Sequence, residues 1–384
     1  MEHYDAIVLG VGGVGSATLD HLARRGIRAL GIEQFELAHD RGSSHGQTRL
    51  IRQSYFEHPD YVPLVQRAFS GWRELAEIAG EPLYHEVGLV QIGRPDGEVL
   101  RGVRASAQAH QLPIENLSAS EAEARFPGLR VPRDCEAVFE TRAGYLLVER
   151  CVLAHARAAV QRGATLRTGE TVRSWRAANQ GTAGQGVIVE TDRGQYAADR
   201  LVITAGPWAS VLLADLNIPL EVRRKPLYWF RTRSDVYRAD CGFPGFLYDL
   251  PGGCFYGFPQ IDDSSIKVAE HSGGCVVSDP LTVDRGIDTD DQNRVAGFVE
   301  NFLTDATTEC VNHVACMYTM SPDEHFILDR HPRYPQVAFA AGLSGHGFKF
   351  AGVLGEELAR LVCEGTVDPR AKFLAANRES LRRV

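Results

Sequence analysis

Residues 4–9 form a short apolar run that meets three glycines at G-x-G-x-x-G spacing, Gly10, Gly12 and Gly15. Ala17, Leu19, Leu22 and Ala23 then recur at helical spacing over 16–25, Gly26 stops the pattern, and the apolar run 29–32 ends at Glu33. The pattern predicts strand, glycine turn, helix and second strand, with an acid eighteen positions after the last glycine. A polar stretch, RGSSHGQTRLIR, follows at 41–52. Leu64, Ala68, Trp72 and Leu75 mark one face of a helix over 61–79, and Val152, Leu153, Ala156 and Val160 one over 148–160. Between these helices the pattern is of short strands and helices.

Strands are predicted at 171–175, 186–191 and 196–199, the last two joined by a turn at Asp192–Gly194. A further strand, 200–204, runs into Ala205-Gly206-Pro207-Trp208. From 219 to 322 the chain reads as strands and turns throughout, rich in aromatics (LYWFRTR, GCFYGFP), which predicts an antiparallel sheet. An apolar strand at 337–341, the loop 342–347 and a helix over 350–363 close the pattern. The expected fold is mixed α/β. A discontinuous Rossmann unit spans 1–85, 145–218 and 323–384, and an antiparallel-sheet substrate domain spans 86–144 and 219–322.

The glycine turn suits a dinucleotide. Gly10 permits the tight turn, Gly12 (beside Gly13) lets backbone approach a diphosphate at the helix N-terminus, and Gly15 lets helix and strand pack closely. Glu33 accepts from a ribose hydroxyl and repels a 2′-phosphate. This fingerprint alone does not separate NAD from FAD, so a nicotinamide-dependent dehydrogenase stands as an alternative. The strand ending at Ala205-Gly206 and the loop carrying Gly342, Gly345 and Gly347 favour FAD, which both ends of the chain would hold. Such a loop aims backbone N–H groups and a helix N-terminus at the negative charge of a reduced flavin.

The formal charge of −8, with basic residues scattered in short groups, excludes the footprint of a nucleic-acid binder. No apolar run is long enough to span a membrane, and the first strand begins too near Met1 to leave room for a signal peptide. A cytoplasmic protein is expected. The 8 cysteines include no C-x-x-C pair, and Cys310, His313 and Cys316 lack an evident fourth ligand, so no metal is expected.

Four longer motifs, GSSHGQTRLIRQSY, FYGFP, CMYTMSPDEHFILDRHP and GLSGHGFKF, resemble the monomeric sarcosine oxidase and N-methyltryptophan oxidase family, and the resemblance runs from Tyr4 to about Val362. It implies a glutathione-reductase-type FAD domain with a sheet-based substrate domain, in a monomer. It also implies oxidation of a secondary amino acid to an imine, with O2 reoxidising the flavin to give H2O2.

The resemblance makes Cys316 the covalent attachment point of FAD and Lys267 the cation that activates oxygen beside flavin N5. It places His271 near the substrate amine, Arg52 and Lys349 on the substrate carboxylate, Tyr256 and Tyr318 at the site, and His45 and Arg49 beside the flavin. Val172, Gly206 and Lys349 join the cofactor-binding set. The residue types agree with these roles. An arginine fork is a natural clamp for a carboxylate, and Lys267 points opposite to its apolar neighbours Ile266 and Val268.

Leu247, Phe255 and a shorter glycine loop depart from the family pattern, leaving substrate size open among sarcosine, N-methyltryptophan and pipecolate. A glycine or D-amino-acid oxidase of the same fold is an alternative. So is an FAD-holding subunit of a larger complex, though a subunit has no need of Arg52, Lys267, Cys316 and Lys349 together.

Overall fold

The computed structural model describes residues 1–178, 186–262 and 264–382. Parts of two expected FAD-domain segments, residues 179–185 and 383–384, lie outside the described residues.

Strand Glu2–Leu9 sits inside an eight-stranded sheet, between Gln195–Ile203 and Ala29–Ile32, both parallel to it. Its Ala6, Ile7, Val8 and Leu9 are buried, as a parallel strand covered on both faces requires. Ala6 and Val8 pack with the helices Gly13–Arg24, Val62–Ala79, Val148–Gln161 and Ala351–Glu364, while Ile7 and Leu9 pack toward Val187, Val189 and Leu213. Gly15 makes the first helix possible: a Cβ there would lie 1.8 Å from the Gly10 carbonyl oxygen.

The two strands expected at 196–199 and 200–204 are one strand, Gln195–Ile203. Its first half pairs antiparallel with Val187–Thr191 and its second half parallel with Val337–Ala341, on the same edge. The change of partner, not a break in the chain, produced the change of pattern.

A second eight-stranded sheet runs in the order Ala306–Met320, Glu221–Thr232, Ser265–Glu270, Gly253–Gly257, Gly245–Leu250, Leu89–Gly93, Glu136–Glu140, Glu115–Ser118. It is antiparallel except where Gly245–Leu250 runs beside Leu89–Gly93. The all-strand reading of 219–322 is corrected here, because Thr289–Phe302 is a helix. Asp288 caps it, its side chain accepting from the N–H groups of Asp290 and Asp291, both at 3.0 Å. Its buried residues are Asp291 and the three apolar residues Val295, Phe298 and Val299, with the Phe298 ring stacked 4.6 Å from Phe255. So narrow a stripe between polar residues gave little helical signal.

A small third sheet joins Thr48–Ile51, Gly144–Leu147 and Tyr84–His85. It brings the polar stretch at 41–52 against the second sheet, where Lys267 Nζ donates to the carbonyls of Gly46 and Thr48.

Candidate active site

Two cavities adjoin where these sheets meet. The larger runs from the glycine turn and Glu33 past Ser43, Ser44 and Val172 to Tyr318 and the loop 342–347. The smaller is walled by Leu50, Arg52, Phe56, Glu57, Leu247, Tyr256, His271, His346 and Lys349. Arg49, Tyr318, Gly345 and Phe348 line both, so one opens onto the other there. Gly345 is needed at that junction, since a Cβ would lie 2.3 Å from the Tyr318 ring.

Gly10, Gly12, Gly13, Glu33, Val172, Gly206, Gly342, Gly345 and Gly347 all line the larger cavity, whereas Gly15, in the first turn of helix Gly13–Arg24, packs against the Gly10 carbonyl and does not line it. Helix Gly13–Arg24 begins there with Gly12 as its N-cap; Ser44 Oγ accepts from Gly13 N at 3.2 Å, and the rest of the first turn, with its dipole, faces the cavity. Glu33 receives Val11 N at 2.9 Å and Phe35 N at 3.1 Å, which fixes the carboxylate at the rim. A glycine-rich helix N-terminus with a fixed acid beside it fits the diphosphate and ribose of FAD.

Cys316 is fully buried on strand Ala306–Met320, and Arg49 Nη2 donates to its Sγ at 3.1 Å. Burial pushes the thiol up, but the Arg49 guanidinium and His45 outweigh it and hold the thiol at about 6. His45 is itself buried, with Nε2 unpartnered.

Lys267 lines neither cavity. Its Nζ donates to the carbonyl oxygens of Gly46 and, at 3.0 Å, of Thr48, and at 3.1 Å to Thr48 Oγ1. Burial, helped by the nearby Arg49 charge, drives this lysine well below its ordinary value.

In the smaller cavity, Arg52 and Lys349 are both buried. Lys349 Nζ donates to the His346 carbonyl at 2.7 Å, and burial with the adjacent Arg52 charge lowers it well below its ordinary value. Arg52 Nη2 lies 2.7 Å from both carboxylate oxygens of Glu57. Burial would raise the Glu57 carboxyl, but Arg52, His346 and Lys349 bring it down to about 2. In the same cavity, His271 Nδ1 faces the Tyr318 hydroxyl at 3.3 Å, beside Tyr256. Burial, with the charge of Lys225, lowers His271 to about 3, so it is neutral.

All the residues expected at the substrate end, Arg52, Lys349, Tyr256, Tyr318 and His271, therefore line one cavity. Lys349 lines only that cavity and not the cofactor's, contrary to its second expected role. Sequence reasoning missed Glu57 and His346. Glu57 lies five residues beyond Arg52 in an unremarked SYFEHPD, and His346 lies inside the quoted glycine loop, where attention went to the glycines. Among the described residues, no group of His, Cys, Asp and Glu is arranged to hold a metal ion.

The comparisons agree with this geometry. Over residues 5–361 the chain matches the family described as FAD dependent oxidoreductase (DAO). It is 41% identical over 369 residues to the monomeric sarcosine oxidase of Streptomyces avermitilis, covering 94% of each chain. It is 36% identical over 355 residues to the N-methyl-L-tryptophan oxidase of Citrobacter koseri, covering 92% of this chain and 93% of that one. Its structure is similar to that of NikD, described as an unusual amino acid oxidase essential for nikkomycin biosynthesis, with a TM-score of 0.85, 26% identity and 98% of both chains covered. With a glycine-rich helix N-terminus and the 342–347 loop facing one cavity, and a family match that spans nearly the whole sequence, the chain belongs to the DAO family of FAD-dependent oxidoreductases.

Proposed function

We propose that this enzyme oxidises the C–N bond of a small N-methylated amino acid, with FAD held covalently through Cys316 and O2 as electron acceptor. The balanced reaction takes R–NH–CH3, O2 and H2O to R–NH2, formaldehyde and H2O2. One observation carries the reading: a small cavity lined by two basic residues, Arg52 and Lys349, together with neutral His271 and Tyr318, opening at Tyr318 onto the FAD cavity. The names of the relatives, sarcosine and N-methyltryptophan oxidases, support it.

FAD supplies the electron acceptor when bound. The chain's own residues do the rest. Arg52 and Lys349 take the substrate carboxylate, which turns the amine toward His271 and Tyr318. Leu50, Phe56, Leu247 and Tyr256 exclude water. The amine has to be neutral, because an ammonium has no lone pair to stabilise the developing iminium, and a desolvated site disfavours the charged form. Neutral His271 serves as an acceptor for the amine N–H. Lys267, fixed on the Gly46–Thr48 backbone, serves the reaction with O2, and His45 and Arg49 flank the flavin. The segments 1–85, 145–218 and 323–384 form the FAD domain, and 86–144 and 219–322 the substrate domain. The enzyme works as a monomer in the cytoplasm, a reading supported by relatives named monomeric. No helix among the described residues is long and apolar enough to cross a membrane.

The test is H2O2 release by the purified chain with sarcosine, N-methyl-L-tryptophan, L-pipecolate, glycine and D-alanine. Turnover of an N-methylated acid above the primary amines is expected. Preference for glycine or D-alanine overturns the reading in favour of a primary-amine oxidase, and no turnover favours the subunit alternative.

A further inference from the structure

Side chains alternate across a strand, and on Glu221–Thr232 the pairing register decides which residues share the active-site face. Lys225 stands opposite Cys316, and Leu227 opposite Ala269, two residues before His271. Lys225 therefore projects on the face that carries Cys316, Tyr318 and Lys267. It is 2% exposed, and its Nζ donates to the carbonyls of Ser272 at 2.6 Å and Gly273 at 3.3 Å, the turn that follows His271. The same Nζ lies 5.3 Å from the centre of the Tyr318 ring. Among the described residues no carboxylate forms an ion pair with it. A buried ammonium without a counter-ion is a costly way to staple a turn, since a neutral donor would do the same.

Resting on the proposed reading of the site, we propose that Lys225 is a positioning residue whose positive charge, set behind Tyr318 and His271, keeps the substrate amine unprotonated. The cation repels an ammonium at the His271 end of the cavity and leaves the carboxylate end to Arg52 and Lys349. Across the thickness of one aromatic side chain, and with the screening usual near a protein site, one charge displaces a neighbouring amine by on the order of one pH unit. Its own titration limits the effect. Burial lowers Lys225 to about 8, while Glu270 and Asp291 oppose that fall and Arg223 and Arg294 add to it. His271 and Tyr318 face it from the site, and Glu57, His346 and Arg52 act on the far side of His271. Below about 8 the cation is present; above it the charge and the repulsion are lost.

The experiment compares holoenzyme of wild type, Lys225→Gln (a donor without charge) and Lys225→Arg (a donor with charge), with Lys225→Met in reserve should the glutamine variant not fold. Two carboxylate probes are titrated against the flavin spectrum: acetate, and trimethylglycine, whose ammonium cannot lose a proton. The anaerobic rate of flavin reduction by sarcosine is followed from pH 6 to 10.

In Lys225→Gln, trimethylglycine should bind roughly tenfold more tightly with acetate unchanged, and the reduction profile should move up by about one pH unit. Lys225→Arg should behave as wild type below pH 8. Unchanged trimethylglycine binding overturns the proposal, and so do equal losses in both variants with parallel pH profiles, which mark a plain staple. If no N-methylated acid reduces the wild-type flavin, the substrate reading fails, and the trimethylglycine comparison still decides the role of Lys225.

Discussion

Arg49 Nη2 reaches Cys316 Sγ at 3.1 Å across most of the chain's length, and the thiol it faces is held at about 6 although burial alone drives it upward. Above that value the sulfur is a thiolate, the form that reacts. Arg49→Gln should return the thiol toward its ordinary range and lower the thiolate fraction at pH 7 by roughly tenfold or more. Covalent FAD incorporation into apoprotein, read as colour retained in an acid precipitate, should slow in proportion, and Cys316→Ser should leave the pellet colourless. Wild-type incorporation in Arg49→Gln would show that attachment does not depend on this thiolate.

Lys267 is locked by the Gly46 and Thr48 carbonyls and Thr48 Oγ1, so its position is set before any reaction begins. Removing a preorganised charge from a water-poor site typically costs on the order of a hundredfold in rate. Lys267→Met should slow reoxidation by O2 by about that factor and reduction by substrate far less, as stopped-flow measurement of each half-reaction would show. Burial and the Arg49 charge lower Lys267 well below 10.5, so wild-type reoxidation should fall with rising pH well before an ordinary lysine titrates. Equal losses in both halves would make Lys267 a structural residue.

The Rossmann half of the fold was legible because each local signal agreed with the tertiary role. Gly10 to Gly15 form the turn with Glu33 beside it, and the apolar runs at 4–9, 29–32, 200–204 and 337–341 are buried parallel strands. The helix Thr289–Phe302 was not legible, because Val295, Phe298 and Val299 make a stripe too narrow to announce itself among polar neighbours. In the site, residues carried by long motifs were found, and those whose importance is relational were not. Glu57 matters because Arg52 folds back onto it, and Lys225 because the strand register sets it behind Tyr318. Neither relation is written in local sequence.

Asp20 ties the first helix to its neighbours. It receives Arg162 Nη1 at 2.8 Å, Arg24 Nη2 at 3.1 Å and faces His155 Nδ1 at 3.0 Å. Burial opposes the charge, yet these partners bring the carboxyl from 3.8 down to about 2. A carboxyl lowered on folding adds stability that is present above its unfolded value and lost as pH falls through the folded one. That window here is about 4 down to about 2. Asp20→Asn should destabilise the protein at pH 7 by about 2 kcal/mol, less than a fully buried pair because both arginines reach solvent. Urea unfolding at pH 7 measures it, and a loss below about 0.5 kcal/mol would mean the cluster is merely tolerated.

In the proposed reading substrate binding turns on Arg52, and in this structure Arg52 is engaged. Its Nη2 is shared by both oxygens of Glu57 at 2.7 Å, its Nε has no partner among the described residues, and its guanidinium lies 4.6 Å from the Tyr55 ring. An incoming carboxylate must share this arginine with Glu57 or displace it. Glu57 stays ionised down to about 2, so the competition persists across any practical assay pH. Arg52→Ala should weaken sarcosine and acetate binding by about 2–5 kcal/mol, the cost of breaking a buried charge pair. The reduction rate should fall as well if the amine is then misaimed. N-Methylbutylamine, which has no carboxylate, should be a poor substrate of the wild type and lose little more in the variant. Glu57→Gln should act in the opposite direction, freeing Arg52 and tightening acetate severalfold, with flavin spectral titration giving both dissociation constants. Equal impairment of acid and amine in Arg52→Ala would place Arg52 in the fold or at the flavin. Weaker acetate binding in Glu57→Gln would show that Glu57 holds Arg52 in its working position instead of competing for it.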